Sequence, residues 1–476
     1  MKNIIKKFGL LTLATSFIFS CTTVDFGDEN VNPNSPTNMK TDALLTNAIT
    51  AIPGIVSSPS SNYYTQGMSD ITYTTYSRYD RYQWSYDGFY TGPLTDLKEI
   101  LDLNTNNAAD VIAYGDNNNQ MAIAHILQVY MYHHMTDRWG AIPYTEALKG
   151  AENIAPVFDQ QKDVYSALFV QLDTAIGLIN NSAVQVQGDI MFNGDMNSWK
   201  RFANTLKMTM ALRMSDVDPS NAQTKFLEAV SGGVLASTSQ NVHYPYLDAV
   251  AHENPWKGAF RTRNDFAPSK KFVDYLTANS DPRLAKMADG SKNSGGVTYA
   301  GMPYGEEDPS INGADIASIT SAIISDGKQH GGFLYTYAQV CLAMSEAAIL
   351  GWAVTGDAQT WYELGIKASM DQWGVSSADA TTYIASVPAV GSTVENVAMQ
   401  KWVALWLQGY EGWAEWRRLD FPNDISAPAA ALSGTGIPVR QGYGANTVSN
   451  NSANYKDAVS KQGPDTQDQK LWWDTK

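Results

Sequence analysis

Four tryptophans within residues 401–422, KWVALWLQGYEGWAEWRRLDFP, constrain the fold more than any other feature of this chain. They are Trp402, Trp406, Trp413 and Trp416. At about 100° per residue they fall on one side of a helix, and Glu411, Glu415 and Arg418 fall on the other. Aromatic residues confined to one helix face are typical of a packing seam rather than of a platform for stacking sugars. We therefore predict that the tryptophan face is buried in a helical scaffold and that the charged face meets solvent or a second contact.

Helical periodicity continues along most of the chain. We predict helices at 42–52, 94–103, 120–139, 163–179, 198–214, 222–230, 269–278, 333–350, 357–373 and 395–418. Residues 232–333 are rich in Gly, Pro, Ser and Asn and predict a loop-rich insertion, and residues 426–476 predict a mostly extended polar tail. The recurring helix pairs favour an all-α scaffold of TPR-like hairpins. We expect one domain over residues 41–476.

Charge and cysteine content exclude several classes of protein. The formal net charge of −15 argues against nucleic-acid binding, because phosphates require a basic surface. The only two cysteines, Cys21 and Cys341, provide neither a disulfide framework nor zinc-ligand spacing. Cys341 lies in an apolar helical run, where we expect a buried small side chain.

The N-terminus has the features of a targeting segment. Residues 1–20 combine early lysines with a short apolar run and predict a signal peptide. Residues 18–21, IFSC, resemble a bacterial lipobox, so Cys21 is the predicted lipidation site, carrying diacylglycerol and palmitate. Residues 21–40 then form a polar tether to the folded part. The tether begins with the acidic residues Asp25, Asp28 and Glu29, which resemble an export signal to the outer leaflet of the outer membrane.

No known catalytic or cofactor motif is present. The sequence has no GxGxxG after a strand, no GxxxxGK[ST], no HExxH and no GxSxG. The residues 115–117 (GDN) offer oxygen ligands but not the spacing of a calcium loop. We predict a binding protein rather than an enzyme, with no cofactor and no metal.

Two irregular stretches are the candidates for ligand binding. Residues 62–90 are crowded with tyrosines, and residues 254–265 (NPWKGAFRTRND) combine aromatic, arginine and amide side chains. Sugar sites place aromatic faces against the ring and orient it with polar groups. The predicted ligand-binding residues are Tyr73, Tyr76, Arg78, Tyr79, Arg81, Tyr82, Trp84, Trp256, Arg261 and Arg263. An alternative stays open, in which the tyrosines pack over the edge of the core with their hydroxyls in water.

Several short motifs, in order and at their spacing, resemble the SusD/RagB superfamily of Bacteroidetes outer-membrane lipoproteins, in particular its SusD-like branch. They are DRWGAIPYTEA (137–147), SWKRFANTLKMTMALR (198–213), DPRL (281–284), YAQVCLAMSEAAILGW (337–352), GIKASMDQWG (365–374), EGW…RR (411–418) and LWW (471–473). Residues 437–446 (IPVRQGYGAN) depart from the family pattern, because Val439, Gly444 and Asn446 replace its usual residues.

The resemblance implies a TPR-like scaffold with a variable loop region. It also implies a lipid-anchored protein on the outer membrane that faces outward and caps a SusC-type TonB-dependent transporter. Such proteins bind an oligosaccharide, or in some members a peptide, and have no catalytic activity. We therefore expect glycan capture and delivery to the transporter. The alternatives are capture of a peptide or other nutrient, and a structural lid without a ligand of its own.

Overall fold

Helices form the frame of the molecule, and its strands are only two or three residues long. The structure, a computed structural model, describes residues 39–80, 83–325 and 331–476. The predicted signal peptide, the lipidation site Cys21 and most of the tether lie outside the described residues, as do the predicted ligand-binding residues Arg81 and Tyr82.

The helices and strands follow in chain order. The helices are α1 (Thr41–Ile49), α2 (Pro53–Val56), α3 (Asp87–Thr91), α4 (Pro93–Asn106), α5 (Ala108–Val111), α6 (Asn117–Trp139), α7 (Gln161–Leu178), α8 (Met196–Arg213), α9 (Pro219–Gly232), α10 (Pro255–Ala259), α11 (Lys270–Ala278), α12 (Leu284–Met287), α13 (Ser321–Ser325), α14 (Tyr337–Ile349), α15 (Ala358–Gln372), α16 (Ser377–Ser386), α17 (Glu395–Ala404), α18 (Gly409–Leu419), α19 (Ala445–Asn450) and α20 (Ser452–Gln462). The strands are β1 (Met68–Asp70), β2 (Gln83–Trp84), β3 (Val242–His243), β4 (Phe266–Pro268), β5 (Ala288–Asp289), β6 (Ser318–Ile319), β7 (Phe333–Tyr335) and β8 (Gly442–Tyr443).

Neighbouring helices pack as pairs, and this pairing builds the frame. Helix α4 packs against α1 and α6, α6 against α7, α8 against α9, and α14 against α15. The predicted all-α, TPR-like scaffold is thereby confirmed. The strands pair two by two, antiparallel in β1–β4, β3–β7 and β5–β6 and parallel in β2–β8. Residues Thr41–Lys476 form one compact unit.

The helix ends follow from local sequence chemistry. The Asp116 carboxylate accepts a hydrogen bond from the Asn119 backbone N–H at 3.0 Å and so caps α6, which ends at Gly140 with a φ of 81°. The oxygen-rich loop at 115–117 is therefore part of a helix cap. Helix α14 begins with a capping box, in which Thr336 and Gln339 satisfy each other's backbone N–H groups.

The tryptophan-rich stretch is buried as predicted, but it is not one helix. Leu407 has a φ of 71° and separates α17 from α18. Trp402, Trp406 and Trp413 are at most 5% exposed, and their indole N–H groups donate to backbone carbonyls at 2.7–3.1 Å. Trp416 is half-buried and donates to the Pro422 carbonyl oxygen at 3.2 Å. The seam is confirmed, while the continuous helix 395–418 was a wrong prediction.

Of the two surroundings expected for the charged face opposite the tryptophans, solvent or a second contact, the structure shows the second, because Glu415 and Arg418 are buried against other helices. The Glu415 carboxylate lies 2.7 Å from both Lys401 Nζ and Arg418 Nη2, and 2.9 Å from Arg213 Nη1. Glu346 pairs with the same lysine and with Arg418. Burial by itself would raise the pKa of Glu415, but Arg418, Lys401 and Arg213 bring it well below its ordinary value. This cluster joins α8, α14, α17 and α18, and we call it the buried ion network.

Two further regions complete the fold. The loop-rich region 232–333 contains short helices and strands, and its Phe272 ring stacks on Trp406 with centroids 5.3 Å apart. The tail 426–476 is irregular over most of its length, but it also forms α19 and α20, which were not predicted, and its Trp473 is fully buried in the main core. Within the described part of the chain, the structure shows no helix that is both long and apolar enough to span a bilayer.

Candidate functional site

A two-stranded ladder brings the two predicted ligand-binding stretches together. Strands β1 and β4 pair antiparallel, with Ser69 opposite Ala267. One tyrosine-rich loop leaves β1, and the loop 254–265 leads into β4. Beyond the ladder, the Ile71 backbone N–H donates to the Asp265 carbonyl oxygen at 2.8 Å, which extends the contact into both loops. Segments almost 200 residues apart in sequence thus share one surface.

Tyr73 and Arg263 form the exposed part of this surface. The side chain of Tyr73 is 58% exposed, and the Arg263 guanidinium carbon lies 4.9 Å from its ring centroid. Arg263 also pairs with the Asp265 carboxylate at 2.7 Å, so the guanidinium is held from two sides. Arg261 is exposed as well and pairs with Glu253. An aromatic ring, arginine donors and a carboxylate acceptor are therefore available together at the surface.

The loop behind Tyr73 is fixed by a buried carboxylate. Asp70 accepts hydrogen bonds from the Ser77 backbone N–H at 2.9 Å and from the Ser77 hydroxyl at 3.1 Å. Burial raises the pKa of Asp70 to about 6. Tyr76, in the same loop, is half-buried and stacks on Tyr63 with a centroid distance of 5.9 Å. The loop is thus held in one shape, which favours a preformed site.

Arg78 has a structural role in this surface. It is 9% exposed, and its Nε donates to the Ala430 carbonyl oxygen at 2.8 Å while Nη2 pairs with Glu307 at 3.2 Å. The guanidinium therefore ties the tyrosine-rich loop to two other loops. Two donor groups of Arg78 are thus already in use. The predicted contact between Arg78 and a ligand is therefore limited to its remaining N–H groups.

Two of the predicted ligand-binding aromatics are core residues. Tyr79 is 1% exposed and packs beside Tyr64 and Trp413, and burial raises its pKa to about 12. Trp256 has no exposed surface and packs in the core cluster that contains Trp406. Neither ring can stack on a ligand in this conformation, because each is covered by protein on all sides. The alternative left open for the tyrosines fits Tyr79 in part: its ring packs in the core, but its hydroxyl accepts a hydrogen bond from Gln66 Nε2 at 3.3 Å and does not lie in water.

Trp84 lies in a different place from the Tyr73–Arg263 surface. It is half-buried against the helical frame in the β2–β8 ladder, opposite Tyr443. Its carbonyl oxygen accepts a hydrogen bond from the Trp139 indole N–H at 3.1 Å. The structure therefore joins Tyr73 directly to Arg263. Tyr76 and Arg78 belong to the loop that carries Tyr73, Arg261 belongs to the loop that carries Arg263, and Trp84 lies outside this group.

A third segment borders the surface and was not predicted. Thr74 Oγ1 donates to the Glu307 carbonyl oxygen at 3.2 Å, and Ile311 packs with Ile71 in one small cluster. Residues 306–308 (EED) have the composition of a solvated loop. These side chains are exposed, but nothing in the sequence indicates that their backbone lies against a loop more than 200 positions earlier. Asp265, which holds Arg263, was likewise not singled out.

Metal binding finds no support in this part of the molecule. Among the residues that the structure describes, no three His, Cys, Asp or Glu side chains gather closely enough to hold a metal ion. His133 and His134 instead contact Asp137 and Arg138 in the helical frame, at 3.1 Å and 2.8 Å.

Comparison with known proteins gives consistent matches over nearly the whole chain. A family model described as starch-binding and associating with the outer membrane matches residues 33–444. A chitin-binding protein is 25% identical, with a TM-score of 0.81 over 92% of this chain and 100% of that chain. A SusD homolog from Bacteroides fragilis is 22% identical, with a TM-score of 0.80 over the same shares. A chitin-binding SusD homolog from Flavobacterium johnsoniae is 24% identical, with a TM-score of 0.73 over 91% and 98%. No curated protein sequence matches.

Proposed function

The chain belongs to the SusD-like family, described as starch-binding and associating with the outer membrane, and from this premise we propose that it captures oligosaccharides at the cell surface. The single observation that carries the proposal is the meeting of two aromatic and arginine-bearing loops at Tyr73 and Arg263. No catalytic step is part of the proposal.

The chemistry of this surface suits a sugar chain. A sugar presents an apolar C–H face and a rim of hydroxyl groups, so it needs an aromatic ring together with donors and acceptors. Tyr73 offers the ring, Arg261 and Arg263 offer donors, and the carboxylate of Asp265 offers an acceptor. Tyr76 adds a half-buried ring in the same loop, where it stacks on Tyr63. Because Asp70 and Arg78 hold the loop, little ordering entropy has to be lost on binding.

The relatives suggest which glycan to test first. Two of the matched structures are chitin-binding proteins, at 25% and 24% identity. Chitohexaose is therefore the first probe, and maltohexaose is the second because the family description names starch.

Delivery to a SusC-type TonB-dependent transporter is the second half of the proposal. It is supported by family membership, by the lipobox at Cys21 and by the polar tether that follows it. A lipid anchor at Cys21 places the receptor on the outer membrane, facing outward, where the glycan arrives. Copurification of the chain with a TonB-dependent transporter from solubilised outer membranes tests the association with the transporter. A Cys21→Ala variant tests the lipid anchor, and a variant that stays at the membrane would contradict it.

Calorimetry of the purified protein tests the binding site. We expect Tyr73→Ala and Arg263→Ala to weaken chitohexaose or maltohexaose binding by about 1–3 kcal/mol each, the cost typical of removing an anchoring contact. Arg201→Ala, a surface arginine on α8, is the matched control and should bind as the wild type does. Unchanged affinity in both site variants would refute the site, and binding of peptides but of neither glycan would favour the alternative nutrient class. A chain that binds no ligand and still copurifies with the transporter would be a structural lid.

A further inference from the structure

An asparagine stands directly before a glycine at two places in this chain, and the two places have different surroundings. Asn193 precedes Gly194, and Asn312 precedes Gly313. The pair has its own chemistry, because the backbone nitrogen after an asparagine can attack the side-chain amide, and a glycine has no Cβ to shield that nitrogen. Both asparagines are exposed. Exposure therefore does not distinguish the two places, but hydrogen bonding does.

The first pair lies in a loop that one aspartate holds in place. The Asp189 carboxylate accepts hydrogen bonds from three backbone N–H groups, and one of them is that of Gly194, at 2.7 Å. Asn193 has a φ of 50°, and its backbone N–H donates to the Asp189 carbonyl oxygen at 3.1 Å. A ring between the Gly194 nitrogen and the Asn193 side chain could close only after this loop opens. The fold therefore protects the first pair.

The second pair has no such restraint. The Gly313 N–H donates no hydrogen bond to any residue that the structure describes. The Ala314 backbone N–H donates to Asn312 Oδ1 at 3.0 Å. A donor at this oxygen stabilises the negative charge that develops there when the amide carbon is attacked. The attacking nitrogen is thus unoccupied, and the amide carbon is activated.

We propose that Asn312 is a site of spontaneous deamidation. The Gly313 nitrogen gives its proton to solvent hydroxide and forms a bond to Asn312 Cγ. The Cγ–Nδ2 bond then breaks, and the leaving nitrogen takes a proton from water and departs as ammonia. The resulting five-membered succinimide takes up one water molecule, which gives aspartate if it adds at Cγ and isoaspartate if it adds at the backbone carbonyl carbon. One amide and one water thus become one carboxylate and one ammonium ion, with no change of oxidation state.

The modification would alter the segment that borders the Tyr73–Arg263 surface, where Ile311 packs with Ile71. Aspartate adds one negative charge to this segment. Isoaspartate adds the same charge and also lengthens the backbone by one atom between Ile311 and Gly313. The reaction itself needs only water, so the inference holds whether or not the neighbouring surface binds glycans.

Incubation of the purified protein at pH 8 in water labelled with heavy oxygen tests this proposal. Digestion in ordinary water and peptide mass spectrometry follow, so that the label marks only conversion in the intact protein. We expect residue 312 to lose its amide and take up one labelled oxygen, as a mixture of aspartate and isoaspartate. Asn193 should convert at least about tenfold more slowly, because opening its loop adds to the barrier. In urea the two asparagines should convert at similar rates.

Gly313→Ala is the matched variant. Gly313 does not have a positive φ, and an added Cβ would come no closer than 4.0 Å to Ile71, so the variant should fold as the wild type does. Its methyl group shields the attacking nitrogen and should slow the conversion of Asn312 by about tenfold. Equal rates in the variant and the wild type would overturn the proposed route. A residue 312 that keeps its amide, or an Asn193 that converts as fast in the native protein, would overturn the inference.

Discussion

Replacing Asp474 by Asn should stabilise the folded protein at neutral pH and leave it almost unchanged at acidic pH. Burial raises the pKa of Asp474 to about 6 from an ordinary value of 3.8. Because the folded pKa lies above the unfolded one, the folded state binds the proton more tightly between these values. The wild type therefore loses stability as the pH rises from about 4 to about 6. Asn has nearly the same shape and carries no charge, so the variant does not have this loss.

The size of the effect follows from the pKa. A rise from 3.8 to about 6 is worth about 3 kcal/mol, at about 1.4 kcal/mol per unit. The variant should exceed the wild type in free energy of unfolding by about 0.5 kcal/mol at pH 4 and by about 3 kcal/mol at pH 7.5. No hydrogen bond offsets this gain, because neither carboxylate oxygen accepts one from the described residues.

Urea unfolding at pH 4 and pH 7.5 measures both differences. The exposed Asp468→Asn should match the wild type at each pH, which controls for the change in net charge. A stability difference that is the same at both pH values would refute the reasoning about burial. A variant less stable than the wild type at pH 7.5 would show that the ionised carboxylate is well paired in solution, for example by Arg417 and Lys470, the two positive charges that favour its ionised form.

Three further predictions concern the frame. Glu415→Gln removes the one carboxylate of the buried ion network that pairs with Arg418, Lys401 and Arg213 at once, so the free energy of unfolding in urea should fall by about 3–5 kcal/mol. A loss below about 1 kcal/mol would contradict the burial of these charges. Gly188→Ala should lower the free energy of unfolding by at least about 1–3 kcal/mol, because Gly188 has a φ of 78° and an added Cβ would overlap the Asp42 backbone. Gly374→Ala is the control: its φ is 66° and the space around it is open, so it reports the cost of backbone strain alone. Burial raises the pKa of the Cys341 thiol to about 12. A disulfide reagent at pH 8 should therefore label Cys341 only in urea, and rapid labelling of the native protein would contradict this prediction.

The sequence predicts the helical frame well but leaves the surroundings of the charged face undecided. Periodicity places Trp402 and Trp413 in the core, where the structure has them. The same periodicity leaves Glu415 either in solvent or in a second contact, because a helical wheel shows which residues share a face but not what covers that face. Its cover comes from Arg213, which lies 202 positions away, and no local pattern records that contact. The break at Leu407 is also tertiary, since its N–H donates to Asn62 Oδ1 at 3.1 Å.

The candidate site is predicted in part for a similar reason. Composition identifies both loops, and the structure joins them at Tyr73 and Arg263. Within a loop there is no period to separate inward from outward side chains, so Tyr79 and Trp256 were assigned to the ligand although both are buried. A tyrosine in an irregular segment suits the edge of a core as well as a binding surface. Only the β1–β4 pairing decides which rings point outward.

The buried ion network sets the order in which the chain can finish folding. Arg213 of α8 is fully buried, and its partner Glu415 lies on α18, close to the end of the chain. Asp137 of α6 binds Arg213 and also accepts from the Trp473 indole at 2.9 Å. A chain that emerges from its N-terminus therefore has Asp137 as a partner for Arg213 but lacks Glu411 and Glu415 until α18 arrives, and contacts of such long sequence separation form slowly. Pulsed hydrogen exchange during refolding should therefore show α8 gaining protection no earlier than α18.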